Sequence, residues 1–552
     1  MPTVNLNRHE VEKLVGKKLE LEALKDRISM LGTDLDDITD DEIIVEIFPN
    51  RPDMLSEQGF ARALSSFIGV KTGLKEFKIV KSKNKVIAEK SLPKEWPYCF
   101  ACIVKNLKFD SEKIIQVVQI QEKLGVSLLR NRKKGGIGLY PLEKIKFPVR
   151  FVGMNPDEIR FRPLEYPDEI TGREILSKHP KGKTYGKICE SWSKFPVFMD
   201  SNNVIMSMPP IINSHDVGKI DETTKDVFVE ITGNDLETVK KALIIMATAL
   251  SDMGGTVYSL ENIDQKNDSL QFPDLMPEKM KLNLDYANKM LGLDLKENEI
   301  KTLLERMGYN YSKGTVEIPA YRADILHEID LIEDIAIAYG YENFKEEIPD
   351  VSTIGEESQI TKFKRKVAEI LIGLELIECS SFHLSNQITL NEKMNSKNKL
   401  ITVESAVNTD YDTLRNSLIP NLMEILSRNK RYEYPQNIFE IGTVFEEGDT
   451  ETGIKESESL SVLKCGKEVN FTGIKQVLDV IMNSLEIEYE IEEISHPWFI
   501  AGRSGEILVN KKRIGVLGEI NPEVLTNWRL EMPASVLELN IGSLSFLEKD
   551  KI

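Results

Sequence analysis

Val45-Glu46-Ile47 running into Arg51-Pro52-Asp53, and Val316-Glu317-Ile318 running into Arg322-Ala323-Asp324, are one phrase written twice in a chain of 552 residues. The likeness spreads outward from both. Gly16 and Gly32 stand as far apart as Gly292 and Gly308, and the interval from Asp53 to Gly69 equals that from Asp324 to Gly340. Further out, Val4-Asn5-Leu6-Asn7 answers to Leu282-Asn283-Leu284-Asp285. Length differences then fall between the first turn and the first helix, and in the turn before the strand, where insertions cost least. Such self-similarity predicts a duplicated small α+β unit, strand–helix–helix–strand–helix, used over residues 1–80 and again over 270–345.

Between the copies, residues 86–262 alternate short apolar strands with loops and end in a helix, a mostly-β central domain. Asn234 with Glu237 makes a capping-box-like start for that helix, Val239, Leu243, Met246 and Leu250 form its apolar stripe, and Gly254-Gly255 stops it. A Pro/acidic linker over 345–357 follows the second copy. The remainder, 358–552, reads as helices followed by strands such as 438–445 and 514–517. The expected fold class is α+β, multidomain.

Lys and Arg total 71 against 89 Asp and Glu, a formal charge of −18 that repels a polyanion at long range. The chain alone should bind nucleic acid weakly, leaving RNA contact to a basic partner or a local patch such as Arg130-Asn131-Arg132-Lys133-Lys134, which by itself reads as a solvated loop. Charges interrupt the apolar stretches before any could span a bilayer, and residues 1–7 lack a basic region followed by an apolar run, so no membrane is expected and the location expected is the cytoplasm. Five cysteines make no disulfide framework. Cys99 and Cys102 form the one C-x-x-C pair and lack two further zinc ligands, which favours buried strand cysteines.

Two groups of residues carry chemistry. Asp330, Glu333 and Asp334 stand at i, i+3 and i+4 at the start of the last helix of the second copy, with Ile332, Ile335, Ala336 and Tyr339 opposite. With Asp324 they offer four carboxylates to a hard cation, for which oxygen ligands suit Mg²⁺. First-turn acids are also ordinary compensation of the helix dipole on a solvated face. The first copy bears on the choice, because it carries Gly59, Arg62 and Ala63 at the equivalent places and so does without those acids. Asp324, by contrast, has a counterpart in Asp53 and reads equally as a turn-holding group common to both copies.

The second group lies on the alternating stretch 227–231, where Glu230 and Thr232 share one face and Val229 and Ile231 the other. A carboxylate and a hydroxyl together can orient a water for ester hydrolysis or read a phenol; a solvent-facing strand edge is the competing reading. No Ser-His-Asp arrangement is legible. Gly135-Gly136-Ile137-Gly138 lacks the Lys and helix of a P-loop and is expected to be a turn into a strand at Ile137.

Five segments in register carry a family resemblance: residues 48–56 (FPNRPDMLS), Met208-Pro209-Pro210-Ile211-Ile212-Asn213, residues 330–341 (DLIEDIAIAYGY), Leu414-Arg415-Asn416-Ser417-Leu418 with Phe439-Glu440-Ile441-Gly442, and His496-Pro497-Trp498 with Gly502-Arg503-Ser504. Together they resemble phenylalanyl-tRNA synthetase β subunits of the archaeal/eukaryotic type over essentially the whole chain. The resemblance implies an (αβ)₂ heterotetramer whose α subunit charges tRNA(Phe) using ATP and phenylalanine. It also implies Mg²⁺ at Asp324, Asp330, Glu333 and Asp334. The central domain is then an editing domain hydrolysing mischarged Tyr-tRNA(Phe), with Phe198, Ser207, Glu230 and Thr232 around the mischarged end; Glu230 is one methylene longer than the Asp common in that branch. Residues 358–552 resemble a class II synthetase core, an antiparallel sheet domain. Phosphate handling there needs fixed cations, yet 438–446 holds no Arg or Lys and no Gly-x-Gly-x-x-x-Arg segment follows, so a degenerate, non-catalytic core is expected. Two other readings are a stand-alone trans-editing hydrolase and a non-enzymatic scaffold with a decayed editing pocket.

Overall fold

The duplicated phrase folds the same way twice in the computed structural model, which describes residues 2–349 and 353–549; residues 350–352 of the expected linker lie outside them. The chain divides into two compact units, residues 1–348 and 349–552.

The first unit opens with β1 (Thr3–Asn7), α1 (Arg8–Val15), α2 (Leu21–Met30), β2 (Asp34–Ile38), β3 (Glu42–Glu46) and α3 (Glu57–Phe67). The strands form an antiparallel sheet in the order β1-β3-β2. Asn7 caps α1 by accepting the Glu10 N–H at 3.0 Å, and Gly16, at φ +84°, ends it. Val11, Val15, Leu24 and Ile28 bury against Val4, Leu6, Ile43 and Val45.

The central segment contributes β4 (Ile79–Ala88), β5 (Tyr98–Lys105), α4 (Ser111–Val126), β6 (Gly135–Pro141), β7 (Val149–Met154), β8 (Phe195–Met199), β9 (Ile205–Met208), β10 (Ile212–Asn213), β11 (Val227–Gly233), α5 (Leu236–Asp252), β12 (Thr256–Ile263) and β13 (Ser269–Phe272). Its ten-stranded sheet runs β10-β9-β8-β7-β4-β12-β5-β11-β6, with β13 on β12. The sheet is antiparallel except where β4 pairs with β7 and β12. One face, with Phe100, Cys102, Val229 and Ile231, packs on α5. The other encloses a second core around Trp96, Ala101, Tyr140, Phe151, Phe198 and Phe228. The apolar stripe of α5 is buried as its periodicity predicts, and Gly254 follows at φ +99°. Its cap differs from expectation: Asp235, not Asn234, accepts the Thr238 N–H at 2.9 Å, while Asn234 donates to the Lys133 carbonyl. Cys99 and Cys102 are both buried and free on β5.

The second copy is β14 (Glu278–Lys281), α6 (Leu284–Leu291), α7 (Glu297–Arg306), β15 (Asn310–Ser312), β16 (Thr315–Ile318) and α8 (Glu328–Tyr339), in the matching sheet order β14-β16-β15. Two details depart from the sequence reading. Each copy holds a further strand, β2 or β15, making a hairpin with its successor. The caps also correct the alignment by two residues. Asn283 caps α6 as Asn7 caps α1, so Asn7 pairs with Asn283, and no length change separates the cap from Gly16 or Gly292. The length difference falls only in the β2–β3 hairpin, the turn before the strand, where one of the two was expected.

The second unit is built on a seven-stranded sheet, antiparallel but for the pairing of Ile377–Glu378 with the strand Gln436–Glu447. Helices Gln359–Gly373, Phe471–Ser484 and Ile541–Lys549 pack on one face; Ile419–Arg428 and Pro522–Asn527 pack on the other.

Candidate functional site

β11 is no sheet edge. It lies between β5 and β6, so Glu230 is flanked by Ala101 and Gly138, and Thr232 by Cys99 and Gly136. Both side chains point into the enclosed core side, and their exposures are 2% and 0%. The glycines make the room. A Cβ at Gly138 would sit 2.3 Å from Glu230 Oε1, and one at Gly136 would meet Pro210 Cα at 3.1 Å. The glycine run expected to be a turn is therefore the strand itself, its alternate positions kept empty beside the carboxyl and hydroxyl.

The opposite wall comes from the far end of the sheet. Ser207 pairs with Phe198 on one side and Asn213 on the other, so the three side chains share a face. Phe198 is fully buried and stacks on Phe151 at 4.6 Å, backing the wall rather than opening into space. Tyr140 joins the two walls: its hydroxyl lies 2.9 Å from Glu230 Oε1 and 3.4 Å from Asn213 Oδ1. Arg132 does the same from the loop before β6, donating to the carbonyls of Pro210 and Ile211 at 3.2 and 3.0 Å while lying 4.4 Å from the Tyr185 ring centre. Arg132 is thus built into the fold, contrary to the solvated-loop expectation.

Burial pushes the Glu230 carboxyl up to about 8, the hydroxyls of Tyr140 and Ser207 pulling the other way. At neutral pH it is mostly protonated and can donate as well as accept. Glu230 Oε2 and Thr232 Oγ1 are buried without a hydrogen-bond partner, and Ser207 Oγ, near enough to Glu230 and Tyr140 to act on both, makes no well-formed hydrogen bond to either. Three such atoms in one place are a standing demand for a polar ligand, since buried polar groups are almost always satisfied. Tyr140, Asn213, Gly136 and Gly138 were not singled out from sequence as pocket residues; the period-two spacing of Gly136, Gly138 and Tyr140 is the signal that could have found them.

The carboxylates of the second copy divide their roles. Arg322, 1% exposed in its side chain, holds Asp324 through two hydrogen bonds of 2.8 and 2.7 Å. Arg51 holds Asp53 the same way at 3.0 and 3.0 Å, so this pairing belongs to both copies. Asp334 lies 2.8 Å from Arg322 Nη1 and accepts from the Tyr309 hydroxyl; it is buried, not on a solvated face. Asp330 Oδ2 accepts the N–H groups of Leu326 and His327 at 2.8 and 2.7 Å, closing the start of α8. Glu333 is exposed, and its carboxyl is raised by desolvation and by the negative charges of Asp334, Asp330 and Asp324. Among the described residues, no three His, Cys, Asp or Glu side chains converge as a metal cage. The carboxylate oxygens that these bonds leave over belong to Glu333 and, one each, to Asp330 and Asp334. Asp324, with both oxygens on Arg322, is the least available of the four.

In the second unit, the quoted segments around Arg415 and Glu440 form a buried ion pair. Arg415 Nη1 lies 2.6 Å from Glu440 Oε1, and the two side chains are 2% and 3% exposed. Glu440, Ser461 and Glu538 make one cross-strand row. Arg415 and Glu440 cancel each other's charge, so this pair presents no free cation to a phosphate.

Comparison with known proteins follows the same division. Family models match residues 1–70 (Phe-tRNA synthetase beta subunit B1 domain), 280–341 (tRNA synthetase B5 domain) and 345–541 (phenylalanyl tRNA synthetase beta chain CLM domain). The phenylalanine–tRNA ligase beta subunit of Pyrococcus abyssi is 37% identical over 99% of this chain and 100% of its own length. That of Archaeoglobus fulgidus is 38% identical over 98% of each. An N-terminal fragment of the phenylalanyl-tRNA synthetase beta subunit from Pyrococcus horikoshii superposes with a TM-score of 0.59 at 35% identity, covering 61% of this chain and 99% of the fragment.

Proposed function

Because the chain belongs to the phenylalanyl-tRNA synthetase β-subunit family, we propose that it assembles with a catalytic α subunit as an (αβ)₂ heterotetramer and clears Tyr-tRNA(Phe) in the pocket of Glu230, Thr232 and Ser207. The observation that carries the editing reading is the set of three buried polar atoms without a well-formed hydrogen bond, from three separate positions. In this reading, a tyrosyl ester enters between β11 and β9, and the protonated Glu230 hydrogen-bonds either its phenol or the attacking water. The water adds to the ester carbonyl, the ribose oxygen leaves with a proton, and tyrosine and tRNA are released. Phenylalanine lacks the phenol and leaves the pocket's polar atoms unpaired, which is how such sites discriminate.

Adenylation belongs to the α subunit in this proposal, supported by the cancelled Arg415 and by the absence of Arg and Lys from residues 438–446. Mg²⁺ would be held by Asp330, Glu333 and Asp334, with Asp324 fixing Arg322 behind them. It would supply positive charge to a repelling acidic surface that faces the α subunit. Cytoplasmic location and access to tRNA(Phe) through the complex belong to the same reading; among the described residues no helix is long and apolar enough to cross a membrane.

The test uses the chain with and without its α subunit. Expected are no phenylalanine-dependent ATP–pyrophosphate exchange by the chain alone, and Tyr-tRNA(Phe) deacylation by the complex that falls at least tenfold in Thr232→Val while phenylalanine charging is retained. Exchange by the lone chain would refute the division of labour; undiminished deacylation in Thr232→Val would move the site elsewhere.

A further inference from the structure

A cavity of about 360 Å³ lies where the two copies of the repeat meet the end of α5, apart from the central pocket and joined to the acid cluster only through Arg322. Five cationic side chains line it, Arg51, Arg62, Lys71, Lys75 and Arg322, against two carboxylates, Asp53 and Asp252. In a chain of net charge −18 that is a local reversal of sign. Arg51 and Arg322 are equivalent residues of the two copies, brought close enough for each to act on the other as a like charge. Arg62 stands 4.0 Å from the Tyr321 ring centre and pairs with Asp252, which it shares with Lys75 at 2.5 Å. One carboxylate thus serves two cations, and Arg62 Nε is buried without a hydrogen-bond partner. Asp53 answers Arg51, and Asp324 and Asp334 answer Arg322 from outside the cavity, which leaves Arg62, Lys71 and Lys75 to the one carboxylate of Asp252; cations in excess of their counter-ions are costly unless something anionic completes them.

We propose that this cavity binds a small phosphate-bearing anion, inorganic phosphate or pyrophosphate. The Arg62 guanidinium, its Nε free of hydrogen bonds, can donate to a phosphate oxygen, and the two lysines on the loop after α3 bring point charges to the mouth. Free anion is favoured over a nucleic-acid phosphate because the inner cations are nearly closed off: the side chains of Arg322, Arg51 and Arg62 are 1%, 9% and 11% exposed. A phosphate flanked by two sugars does not reach them. A bound anion touches both copies at once and so fastens their junction.

Titration calorimetry and thermal melting of the full chain with pyrophosphate and with inorganic phosphate, at constant ionic strength made up with chloride, test this. Saturable binding and a rise in Tm are expected for at least one of the two anions. Lys71→Ala with Lys75→Ala should weaken binding at least tenfold, and Arg62→Gln should do so further. The double variant removes only exposed side chains and so keeps the test valid if Arg62→Gln fails to fold. Lys279→Ala with Lys301→Ala, two lysines on another surface depression of the second copy, should leave binding unchanged. No binding beyond chloride by either anion, wild-type binding in the Lys71/Lys75 double variant, or engagement of these cations by RNA alone would each overturn the proposal.

Discussion

Glu230→Gln keeps the side-chain volume and removes the titrating proton. Burial raises the folded carboxyl to about 8, while the unfolded chain ionises near its ordinary value of 4.5. A folded pKa above the unfolded one means that the folded state holds the proton more tightly. The stability this contributes is present in full below about pH 4.5 and is lost as the pH rises through 8, at ~1.4 kcal/mol per pH unit. Between pH 5.5 and 8.5 the wild-type first unit should lose ~3 kcal/mol that the glutamine variant keeps. Urea titration read by hydrogen exchange in the peptide covering 227–233, corrected for intrinsic exchange, reports on this strand alone. Glutamine also donates and accepts, so if the neutral acid is the working form, deacylation of Tyr-tRNA(Phe) at pH 7 should fall by less than about tenfold. Parallel stability curves for the two proteins, within about 1 kcal/mol over that range, would refute the reasoning: Glu230 would then be ionised and hydrated, and the pocket no dry polar site.

Gly138→Ala places a methyl 2.3 Å from Glu230 Oε1 and 2.4 Å from the Tyr140 hydroxyl. Deacylation should drop at least tenfold with charging intact, and melting should show the ~1–3 kcal/mol of an overpacked core. Glu333→Gln and Asp334→Asn should separate. The first should leave metal-free stability within about 0.5 kcal/mol and blunt the rise in heterotetramer Tm with Mg²⁺. The second strips a counter-ion from buried Arg322 and should cost ~3 kcal/mol with or without metal. Equal Mg²⁺ responses in wild type and Glu333→Gln would reduce the acids to a solvated helix start.

The duplication was legible because glycines mark it: Gly16, Gly32, Gly292 and Gly308 all sit at positive φ, where a side chain is disfavoured, so their spacing survives in the letters. The first strand slipped by two because Val4-Asn5-Leu6-Asn7 and Leu282-Asn283-Leu284-Asp285 alternate alike, and only the caps decide between registers. β2, Asp34-Leu35-Asp36-Asp37-Ile38, was missed for its acidity: as an edge strand it needs little apolar pattern. That Glu230 and Thr232 share a face followed from period two. Their burial did not, since it depends on β5 and β6 flanking them and on Pro210 arriving from the other end of the sheet. Arg132 gave no signal, because three successive residues of positive φ, Arg130, Asn131 and Arg132, aim it. The acid cluster was half legible: spacing gathered the carboxylates, but Arg322, which claims two of them, lies outside that spacing.

The central sheet has no backbone ladder between its terminal strands, β6 and β10. What brings them together is a clasp of side chains, Tyr140 to Asn213 and Arg132 to two carbonyls. A ladder parts cooperatively, many bonds at once, whereas a clasp loosens contact by contact at ~1 kcal/mol each. Compliance is therefore concentrated along the line where the two pocket walls meet, and the walls can draw apart while every strand keeps its neighbours.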